Sequence, residues 1–322
     1  MHSNPNILVA LTLVAGLATG YQGAYAQLRH YPAKPIRIVT TEPGGGSDAA
    51  VRIMQSALSG ALGQPLVVDN RGVLGADVVA RAQPDGYTIL SYGSTIWISP
   101  LLRAHVAYDV LRDFAPITLG TTSPGVIVVH PSLSVKSVKD LIALAKLRPG
   151  EFNYASGSTG SGAHLTGELF KVLAGVNIVR IAFKGSGPGL VALIAGEVQM
   201  SFPNAGTVAA HMKSGKVRAL AVTTLHQSAL TPGLPTAVES GLPGFVSTTP
   251  FGYFAPAGTP PDIIGRLHKE IAGTLRRPEV TERLLGIGME VVANTPREFA
   301  AFIKSEVALW GKVIKNAGIR ED

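Results

Sequence analysis

The sequence of 322 residues lacks cysteine altogether. Without a thiol, a disulfide scaffold, a cysteine-ligated zinc site and a cysteine nucleophile are all excluded. The 37 glycines and 22 prolines follow no three-residue period, so a collagen-like triple helix is excluded as well. Hydrophobic residues make up 46% of the chain, which is too many for an intrinsically disordered protein. A chain of this length predicts about two globular domains.

Charged residues are scarce and unbalanced in sign. They make up 15% of the chain, and 28 Lys and Arg against 21 Asp and Glu give a net charge of +7. A basic surplus suits nucleic acid, a membrane surface or small acidic ligands. The basic residues are dispersed and form no stripe interleaved with aromatic residues, so we expect no nucleic-acid partner.

Long apolar runs are also scarce, and the most continuous one lies at the N-terminus. Ile7–Ala18 is almost entirely apolar but too short to cross a bilayer as a helix. Small and polar residues follow, and Ala24-Tyr25-Ala26 fits a signal-peptide cleavage site. These features predict a signal peptide over residues 1–26, although Met1–Asn6 carries no lysine or arginine; a buried N-terminal helix is the alternative. We therefore expect an exported, soluble protein of the bacterial periplasm.

Apolar strand-like segments alternate with helical periodicity from Ile36 onward, in two successive sets. This alternation predicts parallel β-α-β units and hence an α/β fold. In the first set, the predicted strands are Ile36–Thr40, Leu66–Asp69 and Tyr87–Tyr92, and the predicted helices are Asp48–Leu62 and Ala76–Ala82. In the second set, the predicted strands are Val126–His130, Phe152–Ala155, Val179–Phe183, Val198–Phe202 and Val217–Val222, and the predicted helices are one opening at Ser137, Ser161–Ala174 and Gly189–Ile194. Two further helices are predicted to begin near Thr259 and Thr295, and residues 225–246 to hold no long element.

A glycine-rich turn separates the first predicted strand from the first predicted helix. It reads Pro43-Gly44-Gly45-Gly46-Ser47-Asp48. Glycine lets a ligand approach the backbone closely, and the N–H groups at a helix start attract anions. The turn therefore predicts an anion site; the alternative is an ordinary tight turn in which Ser47 or Asp48 caps the helix. It matches neither the Walker loop nor the G-x-G-x-x-G fingerprint.

Two further turns have the same position between a strand and a helix. One is Ser156-Gly157-Ser158-Thr159-Gly160-Ser161 in the second set, and the other is Gly93-Ser94-Thr95 in the first. Ligands of α/β sheets bind outside the carboxyl ends of the strands. The three turns are therefore candidates for binding an anionic ligand, and a candidate in each set is a stronger signal than either alone.

The motifs give little support for catalysis. The sequence contains neither G-x-S-x-G nor H-E-x-x-H. His164 and Glu168 share a helix face and could hold a metal, but no third ligand is evident, so a hydrogen-bonded structural pair is the favoured interpretation. Lys184 could form a Schiff base, whereas a loop lysine facing solvent or a ligand is the simpler interpretation. We predict no catalytic residue, no metal and no cofactor.

Short motifs from Tyr31 to Ile319 share the identity, order and spacing of one protein family. They include Tyr31-Pro32-Ala33-Lys34-Pro35, Leu62-Gly63-Gln64-Pro65, Val68-Asp69-Asn70-Arg71, Pro84-Asp85-Gly86-Tyr87, Phe183-Lys184-Gly185 and Ala255-Pro256-Ala257-Gly258-Thr259-Pro260. The chain resembles the substrate-binding proteins of tripartite tricarboxylate transporters, the Bug family of periplasmic receptors.

The resemblance implies a two-lobed α/β fold of the periplasmic-binding-protein class, a type II-like Venus flytrap, that closes on a small carboxylate such as a di- or tricarboxylate. It implies a non-enzymatic, monomeric receptor that delivers this ligand to inner-membrane permease subunits; the alternative is an exported enzyme acting on an anionic substrate in the interlobe cleft. The expected lobes are residues 27–127 plus 253–322 and residues 128–252, with crossings near Val126–His130 and Phe251–Ala255. The implied ligand contacts, made largely by backbone N–H groups, hydroxyls and waters, are Gly44, Gly45, Gly46, Ser47, Asp48, Gly93, Ser94, Thr95, Ser156, Ser158, Thr159, Gly160, Ser161, His164 and Asn204.

The sequence departs from the family ahead of the first glycine turn. The family commonly has a Pro-Phe pair there, whose ring covers the ligand, whereas this chain reads Thr40-Thr41-Glu42-Pro43. We expect Glu42 to face solvent, as exposed glutamates commonly do. If it faced the cleft, it would repel a second carboxylate or select a ligand that bears a cation or a hydroxyl.

Overall fold

A computed structural model describes residues 31–321. The predicted signal peptide, residues 1–26, lies outside the described residues. Within residues 31–321, no helix has both the length and the apolar composition that crossing a membrane requires.

Strands and helices alternate along the described residues in chain order. The strands are β1 (Ile36–Thr40), β2 (Leu66–Asn70), β3 (Thr88–Gly93), β4 (Phe114–Pro124), β5 (Val126–Val129), β6 (Asn153–Ser156), β7 (Val179–Ala182), β8 (Met200–Ser201), β9 (Arg218–Val222), β10 (Thr248–Pro256) and β11 (Glu290–Val291). The helices are α1 (Gly46–Leu62), α2 (Gly75–Ala80), α3 (Thr95–Leu102), α4 (Val138–Leu147), α5 (Gly162–Ala174), α6 (Ser186–Ile194), α7 (Ala205–Lys213), α8 (Pro261–Leu275), α9 (Pro278–Gly286) and α10 (Pro296–Ala317). As predicted, no long element lies between residues 225 and 246.

The first sheet is built around three parallel strands. Its six strands within residues 31–321 have the order β11-β4-β10-β3-β1-β2. β1 is parallel to both neighbours, so Ile38 lies opposite Val68 on one side and Ile89 on the other. β10 runs antiparallel to β3 and β4, and β11 runs antiparallel to β4. Because β1 and β3 are parallel, the turns that follow them lie at the same edge of the sheet.

The second sheet repeats this mixture of parallel and antiparallel strands. Its order is β7-β6-β8-β5-β9, with β6 parallel to β7 and β8, and β5 antiparallel to β8 and β9. The prediction of parallel β-α-β units is therefore confirmed for three strands of each sheet and wrong for β5 and β9, whose pairing is antiparallel. The antiparallel strands β4, β5, β9 and β10 flank the two passages of the chain between the sheets, where no crossover helix is needed.

The chain changes sheet at Gly125 and again before Thr248. β4 ends in the first sheet at Pro124, and β5 begins in the second sheet one residue after Gly125. On the return path, Thr248 opens β10 by pairing with Pro124. Residues 126–127 thus lie in a strand of the second sheet and residues 248–252 in a strand of the first. Sheet membership changes a few residues before each predicted lobe boundary.

Helices cover both faces of the first sheet, and alternation along β1 separates the two packed layers. Ile38 belongs to the core beneath α1, α8 and α9, whereas Val39 belongs to the core beneath α3 and α10. Met54 and Leu58 of α1 are fully buried, as the helical spacing of their apolar residues predicts. α10 also packs against α5, and this contact joins the two sheets on the α3 side.

Six of these elements are not predicted from local patterns in the sequence, namely α3, α7, α9, β4, β10 and β11. α3 reads TIWISPLL, which is apolar on every side and contains Pro100, so it shows no helical period. α7 is a short helix, and β4 and β10 lie in the passages between the predicted sets, where strand pairing is long-range. These missed elements matter because α3 and β10 border the candidate site.

Candidate ligand-binding site

A cavity of about 490 Å³ lies between the two sheets, beside the start of β10. Its walls come from α2, α3, the segment 103–108 and α10 on one side, and from α5 with the turn before it on the other. The volume is within the range of small-molecule sites. Six of the predicted contact residues line this cavity, namely Ser94, Thr95, Ser158, Thr159, Gly160 and Ser161. The structure therefore brings the turn after β3 and the turn after β6 together.

The two turns face each other at their closest approach. Gly160 has φ +75° and lies directly against the side chain of Leu102, so a side chain at position 160 would collide with α3. Thr95 is the first residue of α3, and its N–H has no carbonyl partner within that helix. Within the described residues, the backbone N–H groups of Ser158 and Thr159 also donate no hydrogen bond. These N–H groups are available to a ligand in the cavity.

Arg180 of β7 fixes the turn after β6. Its guanidinium donates from Nε to Ser156 Oγ at 2.7 Å, from Nη2 to the Gly157 carbonyl at 2.9 Å and from Nη1 to Thr159 Oγ1 at 3.4 Å. Ser156 is buried and does not line the cavity, because its hydroxyl points to this guanidinium. Arg180 also places a positive charge beside the turn. The sequence gives no local indication of this contact, since nothing links a strand arginine to a turn about 20 residues earlier.

His164 braces the same turn from inside the protein. It is 4% exposed, and its Nδ1 accepts a hydrogen bond from the Gly160 N–H at 3.1 Å. Burial lowers the pKa of His164 to about 4, and the nearby positive charge of Arg180 adds to this effect. The imidazole is therefore neutral at neutral pH and carries its proton on Nε2. The side chain lies outside the lining of the cavity.

His164 and Glu168, the possible metal pair, bond to different partners, and Lys184 lies in an exposed loop. Glu168 accepts hydrogen bonds from the Tyr154 hydroxyl at 2.8 Å and from Lys171 Nζ, and it makes none with His164. The expected His164–Glu168 hydrogen bond is thus absent among the described residues. No group of three or more potential metal ligands occurs within residues 31–321. Lys184 is exposed, in the loop before α6.

The turn after β1 is closed by its own acid. Asp48 is 2% exposed, and its carboxylate accepts hydrogen bonds from Gly44 N–H at 2.9 Å, Arg52 Nε at 2.9 Å and Asn70 Nδ2 at 2.8 Å. Burial alone would raise the pKa of Asp48, but these three donors outweigh it and hold the pKa below its ordinary value. The helix begins at Gly46 with Gly45 in the capping position, so the alternative of a cap at Ser47 or Asp48 is wrong.

This turn lies away from the cavity. Gly44, Gly45, Gly46, Ser47 and Asp48 do not line it. Gly46 packs against the ring of Phe251, and an added Cβ there would lie 2.6 Å from two ring carbons. Gly93, opposite Phe251 in the sheet, is likewise outside the lining. The ring of Phe251 thus fills the space between the ends of β1 and β3, an aromatic contact that the family motif does not predict.

Asn204 lies at the passage between the sheets. It precedes α7 in the capping position, its Oδ1 accepts a hydrogen bond from Thr249 Oγ1 at 3.2 Å, and its backbone forms a bridge with Gly125. Thr249 lines the cavity, whereas Asn204 does not. The amide is therefore placed behind a cavity-lining hydroxyl.

Glu42 is exposed and lies outside the lining of the cavity, in agreement with the expected solvent position. Its carboxylate rests against Gly72, whose carbonyl accepts a hydrogen bond from the Tyr92 hydroxyl at 2.9 Å. Burial raises the pKa of Tyr92 to about 12, and the negative charge of Glu42 contributes to this shift.

Several polar residues of the cavity were not predicted. Arg103, Tyr92, Tyr108 and Glu306 all line it. Glu306 accepts a hydrogen bond from Trp310 Nε1 at 2.9 Å, and burial raises the pKa of its carboxyl group. Residues 103–108 form no regular element, so periodicity does not indicate them. Glu306 lies in the helix predicted to begin near Thr295, where the pattern indicates an amphipathic helix but no site residue.

The comparisons with known proteins agree on one family. The family model described as "Tripartite tricarboxylate transporter family receptor" matches residues 50–319. Protein BugT of Bordetella pertussis is 38% identical over 311 residues, which span 94% of this chain and 95% of BugT. The solved structure of R. palustris Rpa4515 with adipate is 35% identical, with a TM-score of 0.73 over 90% of this chain and 99% of that chain. MatC (Rpa3494) from Rhodopseudomonas palustris, solved with bound malate, is 27% identical, with a TM-score of 0.68 over 88% of this chain and 100% of that chain.

These matches cover both sheets and the cavity between them. The α/β fold of the periplasmic-binding-protein class, which the sequence motifs led us to expect, is confirmed by solved structures described as a periplasmic transporter and as the periplasmic binding protein BugD, with TM-scores of 0.73 and 0.71. The family model spans well over half of the chain, and BugT matches almost all of it. The chain therefore belongs to the receptor family of tripartite tricarboxylate transporters, the Bug family of solute-binding proteins.

Proposed function

We propose that this chain is a periplasmic solute-binding protein that captures a small carboxylate and passes it, chemically unchanged, to the membrane subunits of a tripartite tricarboxylate-type transporter. Membership of the receptor family supports this proposal. So do the relatives solved with adipate and with malate, both of which are dicarboxylates.

The observation that carries the proposal is the convergence of two uncharged turns on one cavity. The turn after β3 brings Ser94 and Thr95, and the turn after β6 brings Ser158–Ser161. Both offer hydroxyls and backbone N–H groups without a carboxylate among them. Such donors bind a carboxylate through charge-assisted hydrogen bonds, which are stronger than bonds between neutral groups. We infer that these residues contact the ligand and that His164, Ser156 and Asn204 support them from behind.

The two sheets correspond to two lobes in this proposal, with residues 27–127 plus 253–322 in one and residues 128–252 in the other. The passages at Gly125 and before Thr248 would then serve as the hinge. Closure around the ligand would move the turn that contains Gly160 relative to α3, with the backbone change confined to the passages. We also propose that the receptor acts as a monomer.

A thermal-shift screen of residues 27–322 over mono-, di-, tri- and aromatic carboxylates tests the proposal. A ligand should raise the melting temperature, because it binds the folded state alone. Calorimetry should then give a dissociation constant of about 1 μM or below. Mass spectrometry of the compound after incubation should return it unchanged. Turnover of the bound compound would favour the exported enzyme instead, and the lack of any shift would contradict carboxylate binding.

A further inference from the structure

The cavity contains a cation that is already paired with an acid of the same chain. Arg103 follows α3, and its Nε and Nη2 donate to the two carboxylate oxygens of Glu321 at 3.1 and 3.0 Å. The backbone N–H of Glu321 also donates to the Leu102 carbonyl at 3.1 Å, which fixes the tail of the chain beside α3. Both residues line the cavity. The pair has the two-pronged geometry with which arginine recognises carboxylates in general.

The other acids of the cavity have their own partners. Asp77 pairs with Arg81 at 2.9 Å, and Glu306 accepts a hydrogen bond from Trp310. Among the described residues that line the cavity, Arg103 is the sole lysine or arginine. Its charge is therefore available to a ligand once Glu321 is replaced.

The position of Arg103 relative to the uncharged turns sets what could replace Glu321. Leu102, the preceding residue, touches Gly160 of the turn after β6, so Arg103 lies at the border of the two walls. Apolar side chains also line the cavity, and two of them, Val73 and Leu74, are 67% and 64% exposed. A ligand with one carboxylate on the turns, an apolar middle and a second carboxylate would fit these surroundings.

We propose that Arg103 is the specificity-determining residue for the second carboxylate of a dicarboxylate, which takes the place of Glu321 in the pair; the inference rests on the proposed function. The exchange conserves the two charge-assisted hydrogen bonds, since one carboxylate leaves as another arrives. The exchange also costs little free energy, because the side chains of Arg103 and Glu321 are 43% and 35% exposed and such partly solvated pairs are weak. Glu321 thus acts as an internal competitor that excludes ligands without a second acid group from Arg103.

Calorimetry with adipate and with hexanoate, its mono-acid of the same length, tests the inference. Arg103→Gln should weaken adipate binding about threefold and leave hexanoate binding unchanged, because the second carboxylate loses a partly exposed ion pair. Glu321→Gln should strengthen adipate binding several-fold, because the competitor is neutralised without a change in volume. When Arg103→Gln is already present, adding Glu321→Gln should not strengthen adipate binding. Arg112→Gln is the matched control, since the exposed Arg112 pairs with its neighbour Asp113 outside the cavity.

The outcomes separate the inference from the proposed function. If the unaltered protein binds adipate and Arg103→Gln leaves the preference over hexanoate unchanged, the inference is wrong and the receptor function stands. If Arg103→Gln weakens both acids equally, Arg103 supports the fold of the site and does not select. If no carboxylate of the broader screen binds the unaltered protein, both proposals are wrong.

Discussion

The turns after β1 and after β6 look alike in the sequence, but charges of opposite sign hold them in place. In the first, the carboxylate of Asp48 accepts hydrogen bonds from a turn N–H and from the side chains of Arg52 and Asn70. In the second, the guanidinium of Arg180 donates hydrogen bonds to a carbonyl and two hydroxyls of the turn. The group that holds each turn, called its brace below, is the anion of Asp48 in the turn after β1 and the cation of Arg180 in the turn after β6.

In the proposed function, this difference explains why the turn after β6, and not the turn after β1, receives the anionic ligand. Asp48 takes up the N–H of Gly44 and places a negative charge in the first turn of α1, where the helix dipole would otherwise attract an anion. Arg180 uses the oxygens of its turn and leaves the N–H groups of Ser158 and Thr159 without a partner among the described residues. We therefore propose the turn after β6 as the anion site, because its brace is a cation and that of the turn after β1 is an anion.

The largest expected effect comes from removing the acidic brace. Asp48→Ala leaves Arg52, Asn70 and the Gly44 N–H without their acceptor, and we expect the free energy of unfolding to fall by about 2–3 kcal/mol. Carboxylate affinity should change less than about threefold, because the turn is outside the cavity. Urea unfolding measures the first quantity and calorimetry the second. Asp48→Asn, which keeps an acceptor, should retain part of the stability; lost affinity at unchanged stability would place the turn in the site.

A pH titration should separate the stability contribution of His164, which supports the turn after β6, from that of Asp48. The pKa of His164 in the folded protein, about 4, lies below its ordinary value of 6.5, so the unfolded chain binds this proton more readily. His164 therefore stabilises the fold fully above pH 6.5, and this contribution is lost as the pH falls toward 4, by about 2 kcal/mol. The pKa of Asp48 is also lowered in the folded protein, so its contribution is present above its ordinary pKa of 3.8 and is lost only at lower pH.

Urea unfolding from pH 7 to 3 measures this difference. His164→Asn provides the control, because asparagine keeps an acceptor near the Gly160 N–H but does not titrate. The unaltered protein should lose stability relative to His164→Asn between pH 6.5 and 4. Parallel curves for the two proteins would mean that His164 is not held neutral, and the brace on Gly160 would have to be reconsidered.

Removing the cationic brace should affect binding more than stability. Arg180→Ala frees Ser156, Gly157 and Thr159 from their common donor, and we expect about tenfold weaker carboxylate binding from the loosened turn. The side chain is half-buried at the sheet edge, so the free energy of unfolding should fall by only about 1 kcal/mol. Arg266→Ala, which breaks a surface pair with Glu270, is the matched control. An unchanged affinity in Arg180→Ala would remove the turn after β6 from the site.

Local patterns in the sequence predict the turns but not their braces. The turns after β1 and β6 were found because glycine and serine interrupt clear strand and helix periods. Asn70 and Arg180 reach these turns from 22 and 24 residues away along the chain, through strand pairing that the sequence does not encode locally. α3 was not predicted because it is apolar on every side. The position of Arg103 beside the cavity could therefore not be derived from periodicity.

The smallest expected effect concerns the acid that replaces the aromatic residue of the family. Glu42 is exposed and outside the lining, so Glu42→Gln should change adipate affinity less than about twofold, since exposed charges are screened by water and salt. Its influence should instead appear in the pKa of Tyr92, which should fall slightly once the nearby negative charge is gone. Spectrophotometric titration of tyrosine measures that shift. If Glu42→Gln strengthened adipate binding as much as Glu321→Gln, Glu42 would face the ligand, and the turn after β1 would share in recognition despite its acidic brace.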